Sequence, residues 1–200
     1  MNIHTNPVYL IFDTETTGLP ITWKAPVTNL DNWPRLVQIA WLQYDVSGQL
    51  ISDHNYIIKP KGFTIPSDAE KIHGISTKRA DEEGVELKNV LEEFSRAIDQ
   101  SSYLIAHNIS FDENVVGAEF IREDIKSRLF KTPGLCTKEL STDYCQMPGN
   151  YGNYKWPSLS ELYIKLFNES FKDSHRAQVD VEACARCFFE LVNRGVIKID

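Results

Sequence analysis

The chain has 200 residues, 42% of them apolar, which suits one globular domain with a substantial hydrophobic core. Its 21 Lys and Arg stand against 28 Asp and Glu, and the formal charge of −7 excludes a protein that coats a long stretch of nucleic acid with a basic face, though not one that grips a strand end. No basic leader precedes a long apolar segment and no run reaches membrane-spanning length, so no membrane association is expected and the expected location is the cytoplasm.

The first structured stretch is YLIFDTETTGL, residues 9–19. Residues 9–12 form an unbroken apolar run, the pattern of a strand buried on both faces, yet Asp13 and Glu15 follow where burial is still expected. Side chains alternate along a strand, which puts Tyr9, Ile11, Asp13 and Glu15 on one face and Leu10, Phe12 and Thr14 on the other. Two carboxylates sharing a partly dry face repel each other and lose hydration, so something cationic is expected to resolve the conflict. PITWKAPVTNLDNWPR, residues 20–35, then reads as a long loop whose Trp23 and Trp33 either cover the sheet, the favoured expectation, or stack on a base. LVQIAWLQYD and QLISDHNYIIKP are the next two strands, a hairpin turning at Ser47 and Gly48.

A helical turn around SDAEKIHGI leads to a helix over GVELKNVLEEFSRAIDQ, with Val85, Val90, Leu91, Phe94 and Ile98 at helical spacings. YLIAHN, residues 103–108, is a short strand. SFDE reads as a capping box, so the next helix is expected to open at Ser110, with Glu113 as reciprocal partner, and to run to about Asp124. LCT near residue 136 supplies a fifth strand, followed by a helix in KELSTDYC and a loop over MPGNYGNYKWP. Ser158 starts a helix, and a last one over AQVDVEACARCFFELVNRG is ended by Gly195. On that last helix Asp180, Cys184, Cys187, Phe188 and Leu191 share one stripe, which places an acid on the core side. The two cysteines there read as small hydrophobes rather than zinc ligands, and no disulfide is expected. A meander of strands followed by strands alternating with helices implies an α/β fold, a mixed sheet covered on both faces.

Taken in order, FDTETTGL, AHNISFD and HRAQVD resemble the three motifs of the DEDDh, or DnaQ-like, family of 3′-to-5′ exonucleases, which includes the proofreading epsilon subunit of DNA polymerase III. The resemblance spans roughly residues 8–194, and IPSDAEKIHGI also looks like a segment of that family. It implies a ribonuclease-H-like fold with a five-stranded sheet, organised as one exonuclease domain over residues 1–200. By position it assigns metal binding to Asp13, Glu15, Asp112 and Asp180, and general-base duty to His175, which the sequence places in the connection feeding the last helix. It assigns substrate contacts to Thr14, Thr16, Thr17, Gly18, Leu19, His73, Asn108 and Phe111, with Leu19 wedged against the terminal base. Four carboxylates matched by two Mg²⁺ ions, with Mn²⁺ able to substitute, would neutralise the acidic face and hydrolyse a phosphodiester.

The expected activity is release of nucleoside monophosphates from the 3′ end of a single strand, DNA favoured over RNA. Expected partners are that strand end and, in a replication context, a DNA polymerase, with the chain a monomer or a homodimer. The rival readings are a non-catalytic subunit of the same fold, an exoribonuclease, and an endonuclease of the wider fold. The HxAxxD motif marks the exonuclease subclass against the last, and five unsubstituted site positions speak against the first. Tyr151, Tyr154 and Trp156 near the third motif are candidates for the lining of a strand-binding groove.

Overall fold

The computed structural model describes residues 8–171 and 176–199. Its sheet has the strand order β3-β2-β1-β4-β5, where β1 is Val8–Thr16, β2 Leu36–Asp45, β3 Leu50–Ile57, β4 Tyr103–Ala106 and β5 Gly134–Cys136. The helices are α1 (Ser67–His73), α2 (Thr77–Glu83), α3 (Leu87–Asp99), α4 (Ile109–Arg122), α5 (Thr137–Leu140), α6 (Thr142–Cys145), α7 (Leu159–Phe167) and α8 (Ala177–Asn193). β1, β2 and β3 pair antiparallel, the first two joined by the long loop of residues 17–35 and the last two by a tight hairpin, whereas β4 and β5, each reached through helices, run parallel to β1.

The alternation expected of β1 decides which layer each side chain joins. Leu10 and Phe12 pack with Trp41, Leu104 and the apolar faces of α3 and α4. Tyr9 and Ile11 pack on the other face with Ala40, Leu42, Ile105, α7 and α8. Continued by two more residues, the same alternation directs Asp13 and Glu15 towards α8 and Thr14 towards α4. β1 pairs with β4 only as far as Ile11 and Ile105, but with β2 as far as Glu15 and Gln38, after which a bulge shifts Thr16 to Leu36. The end of β1 therefore stands clear of β4, at the carboxyl end of two parallel strands whose connections depart in different directions. In α/β sheets that crevice is where ligands bind.

Residues 20–35 are a loop, as expected, but its two tryptophans divide. Trp33 is buried in the α3/α4 layer and covers the sheet, whereas Trp23 is 57% exposed and tilts against Phe111 with ring centroids 5.7 Å apart. The loop is held by α4. The fully buried Glu119 accepts from Arg35 Nε at 2.8 Å and from the Leu36 N–H at 3.0 Å through the same Oε1. Arg122 Nη1 lies 3.1 Å from that oxygen, while its Nη2 donates to the carbonyls of Leu30 and Trp33. Arg35 in turn donates its N–H to Thr17 Oγ1 at 3.0 Å, so the clamp reaches the turn that leaves β1.

Four local expectations are corrected. Ser110 does not cap α4: Asn108 takes a left-handed conformation (φ 87°) and starts the helix earlier, leaving Ser110 exposed inside its first turn and Glu113 beside Gly134. Val85 lies outside α3, bridging Ile58, because the chain is still extended there. α2 was not expected, since TKRADEE buries only Ala80 and shows no apolar stripe. KELSTDYC breaks at Ser141 into two short helices. By contrast α7 begins with the full Ser158–Glu161 capping box, and α8 gives way to a left-handed Gly195 (φ 70°). All four cysteines are free and buried. Among the described residues no helix is long and apolar enough to cross a membrane.

Candidate active site

Asp13 and Glu15 close β1, Asp180 lies in the first turn of α8, and one carboxylate oxygen of each falls within 4.8 Å of the other two. Asp180 is more than 160 positions from the two strand acids in the chain, and the α8 face of β1 brings them together. Asp112, in the first turn of α4, arrives from the opposite face and is buried. Its Oδ1 accepts from the Thr14 N–H at 3.1 Å and from the Thr14 hydroxyl at 2.7 Å. The residue between the two strand acids is thus the tether for the fourth acid, and the α4 dipole favours a carboxylate there.

Crowding four acids in a crevice makes full ionisation costly. Burial first, and then the charges of Asp112, Asp180 and Glu15, hold the Asp13 carboxyl well above the usual range. Glu15 is pushed up to about 8 by burial and then by Asp180 and Asp112. Asp112 is raised to about 7 by burial, against the lowering effect of the Thr14 hydrogen bonds. Oxygen donors at this spacing, unwilling to carry their charges alone, fit a hard divalent cation, which replaces the protons and restores the charge balance.

Next to the acids, the turn after β1 lines a cavity of about 280 Å³. It collects seven of the eight expected substrate contacts: Thr14, Thr16, Thr17, Gly18, Leu19, His73 and Phe111. Leu19 is 72% exposed, which removes ordinary packing as the reason for an apolar side chain there. The Thr14 hydroxyl is engaged with Asp112, and the Thr16 hydroxyl donates to the Gly18 carbonyl at 2.6 Å. Gly18 holds φ 148°, which side-chain-bearing residues rarely adopt, so the turn exposes backbone. His73 is buried; its Nδ1 accepts the Ile75 N–H at 3.1 Å, and burial lowers its pKa, so it is neutral with the proton on Nε2. The eighth residue, Asn108, lies in the adjoining cavity of about 390 Å³, with Asp13, Asp180, His107 and Lys138. His175 lies outside the described residues.

Two residues of that second cavity were not anticipated. His107 donates from Nε2 to the Pro157 carbonyl at 3.1 Å and accepts the Thr137 hydroxyl on Nδ1 at 3.0 Å, with burial taking its pKa down to about 4. It is a neutral strut between the end of β4 and the loop before α7. Lys138 donates to Asn108 Oδ1 and lies over the Trp156 ring, 4.3 Å from its centroid. The signal available for His107 was its place directly after an apolar strand; nothing in the sequence singles out Lys138.

Three kinds of likeness bear on this arrangement. The family model of the RNase T group, described as exonuclease, matches residues 10–188. PolC-type DNA polymerase III of Streptococcus pyogenes is 30% identical over 94% of this chain and 11% of its own length. The protein of the same name from Mycoplasmopsis pulmonis is 33% identical over 59% of this chain and 7% of its own. The chain thus spans about a tenth of the length of these curated relatives. Escherichia coli exonuclease I in complex with a dA16 oligonucleotide superposes with a TM-score of 0.74 at 19% identity, covering 94% of this chain and 41% of that one. That likeness establishes the fold as the ribonuclease-H-like α/β type.

Proposed function

This chain belongs to the DnaQ-like family of 3′-to-5′ exonucleases, and from that premise we propose that it removes nucleoside monophosphates one at a time from the 3′ end of a single DNA strand, using two Mg²⁺ ions. The observation that carries the reading is the convergence of Asp13, Glu15 and Asp180 oxygens within 4.8 Å at the end of the central strand. Burial penalises each of these carboxylates and their proximity adds repulsion, a cost that a bound cation would relieve. When bound, the two ions supply charge stabilisation of the phosphodiester and activation of the attacking water.

The chain's own residues do the rest. Asp13, Glu15 and Asp180 would hold the ions, with Asp112, tethered by Thr14, beside them. The exposed backbone at Thr16–Gly18 meets the terminal nucleotide and Leu19 and Phe111 seat its base, a platform that accepts any base. His175, five residues before Asp180 in the HxAxxD motif, takes the proton of the attacking water, as a neutral imidazole can. Oxygen-only donors favour Mg²⁺ with Mn²⁺ as substitute. The PolC-type relatives support DNA as substrate and a polymerase as partner.

Digestion of 5′-labelled single-stranded DNA and RNA, with Mg²⁺ and with chelator, tests this reading. A ladder shortening from the 3′ end, faster on DNA and absent with chelator, is the expected result; intact substrate would favour a non-catalytic subunit, and internal cuts an endonuclease. His175→Ala should cost about 10²–10⁴-fold in turnover. Near-full turnover in that variant would remove the base assignment while leaving the metal site standing.

A further inference from the structure

Beside the crevice lies a third cavity, of about 360 Å³, lined by Trp23, Asn108, Ser110, Lys138, Glu139 and Trp156. It shares two lining residues, Asn108 and Lys138, with the acidic cavity. On its other side Trp23 leans on Phe111, which lines the Leu19 pocket. The three cavities thus adjoin one another, with Asp13 and Asp180 in the wall of one and Glu15 in the wall of another.

Both indoles are displayed to solvent, Trp23 at 57% and Trp156 at 60% exposure, yet each is carried by backbone that is fastened down. The buried Asn32 side chain accepts the Thr22 N–H at 2.8 Å and donates to the Thr22 carbonyl at 3.1 Å, next to Trp23. Trp156 is flanked by the Lys155 N–H, which donates to the Met147 carbonyl at 3.0 Å, and by the Pro157 carbonyl, which accepts from His107. Trp23 has Phe111 at 5.7 Å and Trp156 has Lys138 Nζ at 4.3 Å, and the exposed remainder of each indole is a surface on which a base can stack. Lys138 adds a cation to the same wall, and one bond to Asn108 leaves an ammonium with donors to spare. On a chain of net charge −7, a lysine beside the acidic crevice is placed where a polyanion has to pass.

We propose that Trp23, Lys138 and Trp156 form a second nucleotide subsite, which grips the strand beyond the terminal nucleotide seated in the Leu19 pocket. A base stacks on the indoles and a backbone phosphate meets Lys138 Nζ. A base held this way has left its neighbours' stack, so the subsite takes an unpaired strand and is indifferent to base identity. The assignment rests on the exonuclease reading above and adds what that reading lacks, a grip on DNA longer than the terminal nucleotide.

The test is binding of a fluorescein-labelled oligothymidylate in chelator, where no cleavage occurs, set beside binding of thymidine 5′-monophosphate. Trp156→Ala and Trp23→Ala should each weaken the oligomer by about 5- to 100-fold, the worth of one stacked base. The monophosphate, which needs only the Leu19 pocket, should bind Trp156→Ala as it binds the native protein, and Trp156→Phe should regain most of the oligomer affinity. Lys138→Gln should lower the slope of log affinity against log salt by about 0.7, the signature of one lost phosphate contact on a single strand. Oligomer affinity unchanged in both tryptophan variants, with native protein that binds and cleaves, would overturn the subsite alone. Native protein that neither binds nor cleaves the oligomer would overturn the exonuclease reading and the subsite together.

Discussion

Asp13→Asn should lower exonuclease turnover by on the order of 10³-fold, the loss expected when a group that organises charge at the reacting centre is removed, and should at the same time stabilise the metal-free protein. The two effects have one cause. Asp13 lies among Glu15, Asp112 and Asp180, and its charged form is disfavoured by burial and by all three neighbours. Neutralising it removes a repulsion that otherwise has to be relieved by protonation or by bound cations, so the thermal midpoint in chelator should rise by about 3–6 °C at alkaline pH, where the neighbouring acids are charged. The pH dependence follows with a definite sign. Glu15 moves from an ordinary value of 4.5 to about 8 and Asp112 from 3.8 to about 7 on folding. Folded-state values above the unfolded ones mean that the folded state binds more protons, so the stability these groups confer is fully present below about pH 4 and is lost as pH rises through 7 to 8. Melting curves in chelator should therefore fall across that window, and Mg²⁺ should raise the midpoint most at its alkaline end. A native protein equally stable at both ends, or an Asp13→Asn variant that melts earlier, would mean that the acids are paired by some other group.

Glu119→Ala should be the most destabilising single change outside the crevice. Its carboxylate is fully buried and receives Arg35 and the Leu36 N–H while lying against Arg122. Removal strands partly buried cations and a buried amide without their acceptor, at a cost of about 3–5 kcal/mol, or about 10 °C in the thermal midpoint. Glu119→Gln, which keeps an acceptor for Arg35 and Leu36, should lose less. Because Arg35 also holds Thr17, the alanine variant should show a raised KM for DNA before it shows a lowered kcat, as the turn carrying Leu19 loosens. A kcat loss at unchanged KM would place the clamp closer to the chemistry than its hydrogen bonds suggest.

The five strands and the β1–β2–β3 meander were legible because β1 and β2 are apolar enough to read as buried and alternate cleanly enough to assign faces, whereas the placing of β4 and β5 beside β1 came from the structure. The same period of two carried Asp13 and Glu15 to one side, and the 100° stripe of α8 carried Asp180 to meet them. What sequence reasoning missed has a common physical origin. α2 has no apolar stripe, so it leaves no periodic trace. The start of α4 depends on Asn108 entering a left-handed turn, a backbone property that the SFDE pattern hides. The Glu119 clamp joins charges 84 positions apart, and Lys138 acquires its meaning only from Trp156 and Asn108 folding beside it. Trp23 and Trp33 look alike in the sequence, and only the burial of one distinguishes cover from contact surface.

The most direct test is calorimetric titration of Mn²⁺ and Mg²⁺ into the protein, repeated near neutral pH in buffers of different ionisation enthalpy, with Asp13→Asn alongside. The native protein should take up the cations at millimolar levels or below and release protons as it does so, because Glu15 and Asp112 are partly protonated there, and the variant should lose most of the binding. Native protein that takes up neither cation, or a variant that binds them as tightly, would contradict the account.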